Sequence, residues 1–294
     1  MKSNNFIITG CQRSGTTLLK LILDSHSNIS VFDEDVAGFH GEKIKDYCEQ
    51  NVINGFKLPM VSNNLNLLTS LNYKILFLVR DPRDVILSMQ KLMIKFNAGY
   101  MQDAKLIKEP YISTLKCIIK NNRIFDFLSL FFLIKKHIVL PWIIHPAGIG
   151  PELRPEYFSK HLRDEKEKFM KSHPLCRKSS DHISLASHVW LFKNSVLADY
   201  NKINLTYLVI KYEELVSSPE STIKEISKFL NVRYEPETLL YYKKNSGTSI
   251  GNTRNDNPIM NKNFNKYHGS YTKEQLEKIN SICKDVAKNF EYNL

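Results

Sequence analysis

Short, mainly apolar runs alternate along this chain with stretches in which apolar side chains recur every three or four residues. Phe6 to Thr9 is such a run and stops at Gly10; from Thr16 to Ser25, Leu18, Leu19, Ile22 and Leu23 share one helical face. Strand, loop and helix are predicted in succession. Ile75 to Val79 is a second continuous run, and Asp84 to Met93 behind it has helical spacing, as a buried parallel strand and its crossover require. Leu205 to Ile210 predicts a third strand, and Glu220 to Leu230, with Ile223, Ile226 and Leu230 on one face, a helix after it. Repeated strand and helix is the pattern of an α/β fold, a three-layer sandwich with a central parallel sheet and helices on both faces.

Between Met93 and Ser180 that alternation is lost in basic, partly aromatic sequence with prolines at 110, 141, 146, 151, 155 and 174. The expected organisation is one domain over residues 1–294 with a mainly helical insertion at about 93–180. Charge changes the picture here: residues 91–180 hold 17 Lys and Arg against 8 Asp and Glu, so the insertion supplies most of the chain's net +11. Such an excess implies an anionic partner, whether a nucleotide, a nucleic acid or an acidic membrane surface. The apolar stretch from Ile124 to Ile144 is interrupted by Lys135, Lys136 and His137, with Pro141 near its end, which predicts buried insert helices instead of a span. Cys11, Cys48, Cys117, Cys176 and Cys283 form no C-x-x-C pair, so neither a zinc site nor a disulfide framework is suggested. With no secretory signal before the first strand, a cytoplasmic location is expected. Residues 245–266, rich in Asn and Gly, predict an extended surface loop.

Gly10-Cys11-Gln12-Arg13-Ser14-Gly15-Thr16-Thr17 has the G-x-x-x-x-G spacing of a phosphate loop, placed between a predicted strand and helix. Backbone N–H groups of such a loop and the positive end of the helix converge on an anion. The lysine of a nucleoside triphosphatase loop is missing, because position 16 is Thr, and the charge comes from Arg13 inside the loop. A kinase needs that lysine on its terminal phosphates, together with a held Mg²⁺.

Residues Cys11 to Thr17 resemble the 5'-phosphosulfate loop of the sulfotransferases that use 3'-phosphoadenosine 5'-phosphosulfate (PAPS), closest to the protein-tyrosine and related bacterial members. Phe77 to Ser88 is similar to the 3'-phosphate motif of that family, an Arg at a strand end and a Ser eight residues later. The resemblance implies a P-loop fold and a PAPS donor leaving as adenosine 3',5'-bisphosphate. Carried over residue by residue, it assigns the donor to Arg13, Ser14, Gly15, Thr16, Thr17, Arg80 and Ser88. A fork-shaped guanidinium at Arg80 suits a phosphate, although simple pairing of Arg80 with Asp84 is an alternative. Lys211 to Leu215 resembles the segment whose Tyr touches adenine, which points to Tyr212. Gly251 to Tyr267 resembles the loop that folds over the nucleotide, with Arg254 and Lys266 as its cations. The resemblance covers residues 6–92 and about 185–290.

It also implies a base. Protein-tyrosine sulfotransferases carry a catalytic Glu 21 positions after the loop Arg, and counting from Arg13 gives Glu34. Asp33 and Asp35 flank it, and a like charge nearby raises a carboxylate pKa. Sulfotransferases of small phenols and steroids use a His two residues beyond a Lys; here Lys57 matches the Lys and Pro59 stands in place of the His. Arg13, Glu34 and Lys57 are therefore the expected catalytic set, with His40 and His26 as outsiders. A sulfuryl group carries less charge than a phosphoryl group, so transfer is expected without metal. Val36 and Leu92 depart from the protein-tyrosine pattern, which leaves a hydroxyl, or as the lesser alternative an amine, of a small-molecule, glycan or lipid-linked acceptor shaped by the insertion. A peripheral membrane contact through the insertion stays open, and no nucleic-acid partner is expected. The alternatives are a P-loop small-molecule kinase, or a basic protein that binds nucleic acid or a membrane surface.

Overall fold

The computed structural model describes residues 5–37, 41, 43–47, 52–90, 182–249, 253–260 and 264–294. The predicted insertion at 93–180, with its apolar stretch at 124–144, lies outside the described residues.

Five parallel strands form the sheet: β1 (Phe6–Gly10), β2 (Ile29–Phe32), β3 (Ile53–Lys57), β4 (Lys74–Val79) and β5 (Tyr207–Lys211), in the order β2-β3-β1-β4-β5. β1 is central and every residue in it is buried, which is why its sequence reads as an unbroken run. The register pairs Ile8 with Lys57 on one side and with Leu76 on the other. Successive side chains point to opposite faces. Ile7, Ile75, Phe77 and Val79 therefore join one core, and Phe6, Ile8, Leu76 and Leu78 the other.

Helices cover both faces. α1 (Thr16–Leu23) follows β1, α2 (Glu34–Ala37) follows β2, α3 (Leu65–Leu71) precedes β4, and α4 spans 82–90. α5 (His182–Ser195) and α6 (Leu197–Lys202) lead into β5; α7 (Tyr212–Ser217) and α8 (Pro219–Leu230) follow it. A small antiparallel hairpin, β6 (Thr248–Ser249) with β7 (Thr253–Arg254), precedes the last helix, α9 (Lys273–Lys288). Ala186, Val189 and Trp190 of α5 share the first core with Ile279, Cys283 and Ala287 of α9, while α1 and α8 close the second. Thr272 and Gln275 form a reciprocal capping box that starts α9.

The expected sheet with helices on both faces is the one observed, and several elements differ from expectation; the segment 245–266, expected as an extended loop, contains the β6–β7 hairpin. β2 and β3 are strands that periodicity does not single out, since Asn54, Gly55 and Lys57 interrupt the apolar pattern of β3. α4 begins at 82, ahead of the expected Asp84, because Asp81 accepts the Arg83 N–H at 2.8 Å as a cap and Pro82 suits the first helical position. Among the described residues no helix is long and apolar enough to cross a membrane.

Candidate active site

The chain leaves β1 for β2 and β3 on one side and later for β4 and β5 on the other, so a crevice opens at the carboxyl ends around β1. The glycine-rich loop lies there. Gly10 has φ +131°, and a β-carbon on it would stand 2.2 Å from the Leu78 carbonyl oxygen of β4. Gly15 has φ +99°, and a β-carbon there would stand 2.4 Å from Cδ2 of Tyr212. Both glycines are thus demanded by conformation and by close approach. Arg13 occupies the left-handed region at φ 72°, a conformation that costs a non-glycine residue about 1–3 kcal/mol. The Ser14 N–H closes the loop on the Cys11 carbonyl at 3.2 Å.

This loop is shaped for an anion. The first N–H groups of α1 have no acceptor within the helix and carry its positive end. The Ser14 hydroxyl is fully buried and has no hydrogen-bond partner among the described residues, an orphan that a ligand oxygen would satisfy. The residues therefore fit a phosphosulfate group.

Arg13 reaches across the crevice, donating from Nε to the Ser88 hydroxyl at 2.9 Å, two turns into α4. Arg80 follows β4 directly and donates from Nη1 to the Arg13 carbonyl at 3.2 Å. Its Nη2 stands 3.3 Å from Asp84 Oδ2, and its guanidinium lies 4.3 Å from the Tyr212 ring centroid. Burial first, and then the charge of Arg80, hold the Arg13 guanidinium below its ordinary pKa. Two guanidiniums brought together in a partly dry crevice repel, and an anion between them relieves that repulsion. The backbone at Arg80 is fixed from behind, since the Trp190 indole N–H donates to its carbonyl at 2.9 Å. Glu213 holds the next residue, accepting the Asp81 N–H at 3.0 Å and the Tyr292 hydroxyl at 2.7 Å. Burial pushes the Glu213 carboxyl up, against the lowering effect of those hydrogen bonds.

At the neighbouring edge, Lys57 ends β3 and is 2% exposed. Its ammonium sits 2.7 Å from Asp33 Oδ1 and 3.1 Å from Glu34 Oε1. Asp33 also accepts the Glu34 N–H at 2.9 Å, at the start of the short helix α2. Glu34 is itself buried, at 7% exposure. The Lys57 ammonium thus stands against both Glu34 and Asp33, the flanking carboxylate whose side chain is described. The Asp35 side chain and His40 lie outside the described residues. The Thr9 hydroxyl donates to the Leu58 carbonyl at 2.8 Å, joining this edge to the start of the glycine-rich loop.

Arg13, Ser14, Gly15, Thr16, Thr17, Arg80, Ser88 and Tyr212 are brought together at the loop. Lys57 and Glu34 meet beside it. Tyr212 is 5% exposed, packed against Gly15 and Arg80. Arg254 lies on the β6–β7 hairpin, exposed, with its guanidinium 2.9 Å from Asp256. Lys266 is exposed and immediately precedes Tyr267, whose N–H donates to Asp84 at 3.1 Å. His26 packs: its Nε2 donates to the Arg233 carbonyl at 2.8 Å, and its Nδ1 accepts the Asn28 N–H at 3.0 Å. Sequence reasoning missed Glu213, which reaches Asp81 across 132 residues. For the cap at Asp81, the Asp-Pro pair before a helix was the available signal.

Residues 3–291 match the model of the family described as "Sulfotransferase domain". Among solved structures the chain is similar to the "Sulfotransferase Domain from the Curacin Biosynthetic Pathway", at 16% identity and TM-score 0.55, over 99% of this chain and 98% of that one. It is likewise similar to the "Sulfotransferase Domain from the Synechococcus PCC 7002 Olefin Synthase", at 16% identity and TM-score 0.52, over 99% and 95%. At these identities the likeness is one of fold.

Proposed function

Because the chain belongs to the sulfotransferase-domain family, whose donor is PAPS, we propose that it transfers the sulfuryl group to a hydroxyl of a small-molecule, glycan or lipid-linked acceptor, with Glu34 as the base. Family membership makes it a sulfotransferase and sets aside the kinase and the non-catalytic binding readings. When bound, PAPS supplies the sulfuryl group and takes the leaving-group charge away on its bisphosphate.

The chain's own residues divide the work. The N–H groups of the 14–17 loop, the Ser14 hydroxyl and the Arg13 guanidinium bind the 5' end and neutralise charge there. Arg80 and Ser88 take the 3'-phosphate, Tyr212 lies beside the adenine, and Arg254 and Lys266 add positive charge from the C-terminal loop. Glu34 holds the proton taken from the acceptor hydroxyl. Lys57 fixes Glu34 and faces the transferring oxygens. The insertion at about 93–180, within a single domain, forms the acceptor side.

The observation that carries this reading is the buried Glu34–Lys57 pair at the sheet edge adjoining a glycine-rich loop with an orphaned Ser14 hydroxyl. The test is turnover. PAPS is supplied with panels of phenols, glycans and lipid-linked alcohols in EDTA, and formation of adenosine 3',5'-bisphosphate is followed. Product with one acceptor class, absent in Glu34→Gln, supports the proposal. A strict Mg²⁺ requirement contradicts the metal-independent route, and near-normal turnover of Glu34→Gln moves the base elsewhere, with His40 the next residue to replace.

A further inference from the structure

Asp84 is 2% exposed and uses both carboxylate oxygens, in two different parts of the molecule. Oδ2 stands 3.3 Å from Arg80 Nη2, and Oδ1 accepts the backbone N–H of Tyr267 at 3.1 Å, 183 residues further along the chain. Two more contacts hold the same segment on the first turn of α4. The Arg83 guanidinium lies 4.2 Å from the Tyr267 ring centroid, and the Tyr271 hydroxyl donates to the Arg83 carbonyl at 3.0 Å. Lys266, one residue before Tyr267, stays exposed on this docked segment.

A guanidinium has five donors in a fixed plane, so a carboxylate on one edge fixes where the others point. Docking of 264–272 covers Asp84 and strips water from it. A buried carboxylate is costly unless it is paired, and Arg80 is the cation 3.3 Å away. The position of Arg80 and the docking of the segment therefore favour one another. We propose that Asp84 is a positioning residue that couples the 3'-phosphate clamp at Arg80 to the C-terminal segment, so that binding the 3'-phosphate and docking 264–272 form one linked equilibrium. This rests on the reading of Arg80 as the 3'-phosphate ligand. Linkage is reciprocal: whatever Asp84 adds to nucleotide affinity through the docked segment, the nucleotide returns as added docking.

The test uses the full chain with adenosine 3',5'-bisphosphate and adenosine 5'-monophosphate, which differ by the 3'-phosphate alone. In the wild-type chain at matched saturation, the bisphosphate should slow amide exchange at Tyr267 about 10-fold more than the monophosphate does. In Asp84→Asn the side chain keeps its size and an acceptor for the Tyr267 N–H but loses the charge facing Arg80. Its affinity for the bisphosphate should fall about 10-fold, its affinity for the monophosphate should hold, and the extra protection at Tyr267 should vanish. A merely structural Asp84 would weaken both nucleotides alike. An unchanged ratio of the two affinities in Asp84→Asn overturns the coupling. So does equal protection by both nucleotides in the wild type, a result that needs no variant and stands even where Asp84→Asn does not fold. A wild-type chain that binds the two nucleotides equally tightly overturns the Arg80 reading as well, and that failure shows before any variant is made.

Discussion

Two edges of the same crevice carry opposite electrostatic arrangements. Around β1 and β4 two guanidiniums are brought together, Arg80 donating to the Arg13 backbone while Arg13 reaches Ser88. Around β2 and β3 a single ammonium, Lys57, sits between the carboxylates of Asp33 and Glu34. The first edge, where Asp84 offsets only one of the two guanidiniums, gains from an incoming anion; the second sets two carboxylates against one ammonium and holds a carboxylate in a fixed place. On the proposed reading, that difference is a division of labour between donor binding at the first edge and proton transfer at the second. Substitutions at the two edges should fail in different measurements.

The largest expected effect is at Glu34. Glu34→Gln keeps the volume and removes the proton acceptor, so kcat should fall by about 10²- to 10⁴-fold. Bisphosphate affinity should hardly move, the mark of an interaction made in the transition state. Initial rates and titration on the same preparation separate the two quantities, and a shared loss would erase the division between the edges. Next comes Lys57→Ala, which strands two carboxylates without their buried counter-charge. Breaking a buried pair from one side costs about 3–5 kcal/mol. Denaturant unfolding should report a loss of that order, whereas a loss below about 1 kcal/mol would place this edge in a solvated setting.

At the donor edge, Arg80→Ala should weaken adenosine 3',5'-bisphosphate by about 10- to 100-fold, since charge-assisted bonds are worth about 1.5–3 kcal/mol. Adenosine 5'-phosphosulfate, which has no 3'-phosphate, should be nearly unaffected. Equal weakening of both ligands would mean that Arg80 supports the crevice in general and reads no 3'-phosphate. The smallest expected effect is that of chelation: turnover in EDTA should match turnover in buffer, because guanidiniums and loop N–H groups supply the positive charge that a metal supplies in a kinase. A loss of turnover restored by Mg²⁺ would show that the first edge does not neutralise its ligand alone.

The edge around β1 and β4 was far more legible in the sequence than the edge around β2 and β3, and the reason is distance along the chain. The loop from Gly10 to Thr17 carries its chemistry in eight consecutive residues, and Arg80 and Asp84 are only four residues apart. The apolar runs of β1, β4 and β5 announce parallel strands, buried in β1 and β4. β3 does not: Gly55 is there because the Phe6 ring fills the space its β-carbon would take, 2.4 Å from Cζ. A lysine inside the core reads as an error in the pattern until Asp33 and Glu34 are placed against it. The contacts of Asp84 with Tyr267 and of Glu213 with Asp81 span 183 and 132 residues, and nothing local announces either.

Recognition of the 3'-phosphate is the claim on which the donor edge stands, and thermal unfolding of the wild-type chain with adenosine 3',5'-bisphosphate, set against ADP, tests it most directly. A ligand that binds the native state at 100 times its Kd adds about 2.7 kcal/mol of stability. The bisphosphate should raise Tm by several degrees while ADP, which lacks the 3'-phosphate, leaves it nearly unchanged. Equal rises with the two nucleotides, or a larger rise with ADP, would contradict the account.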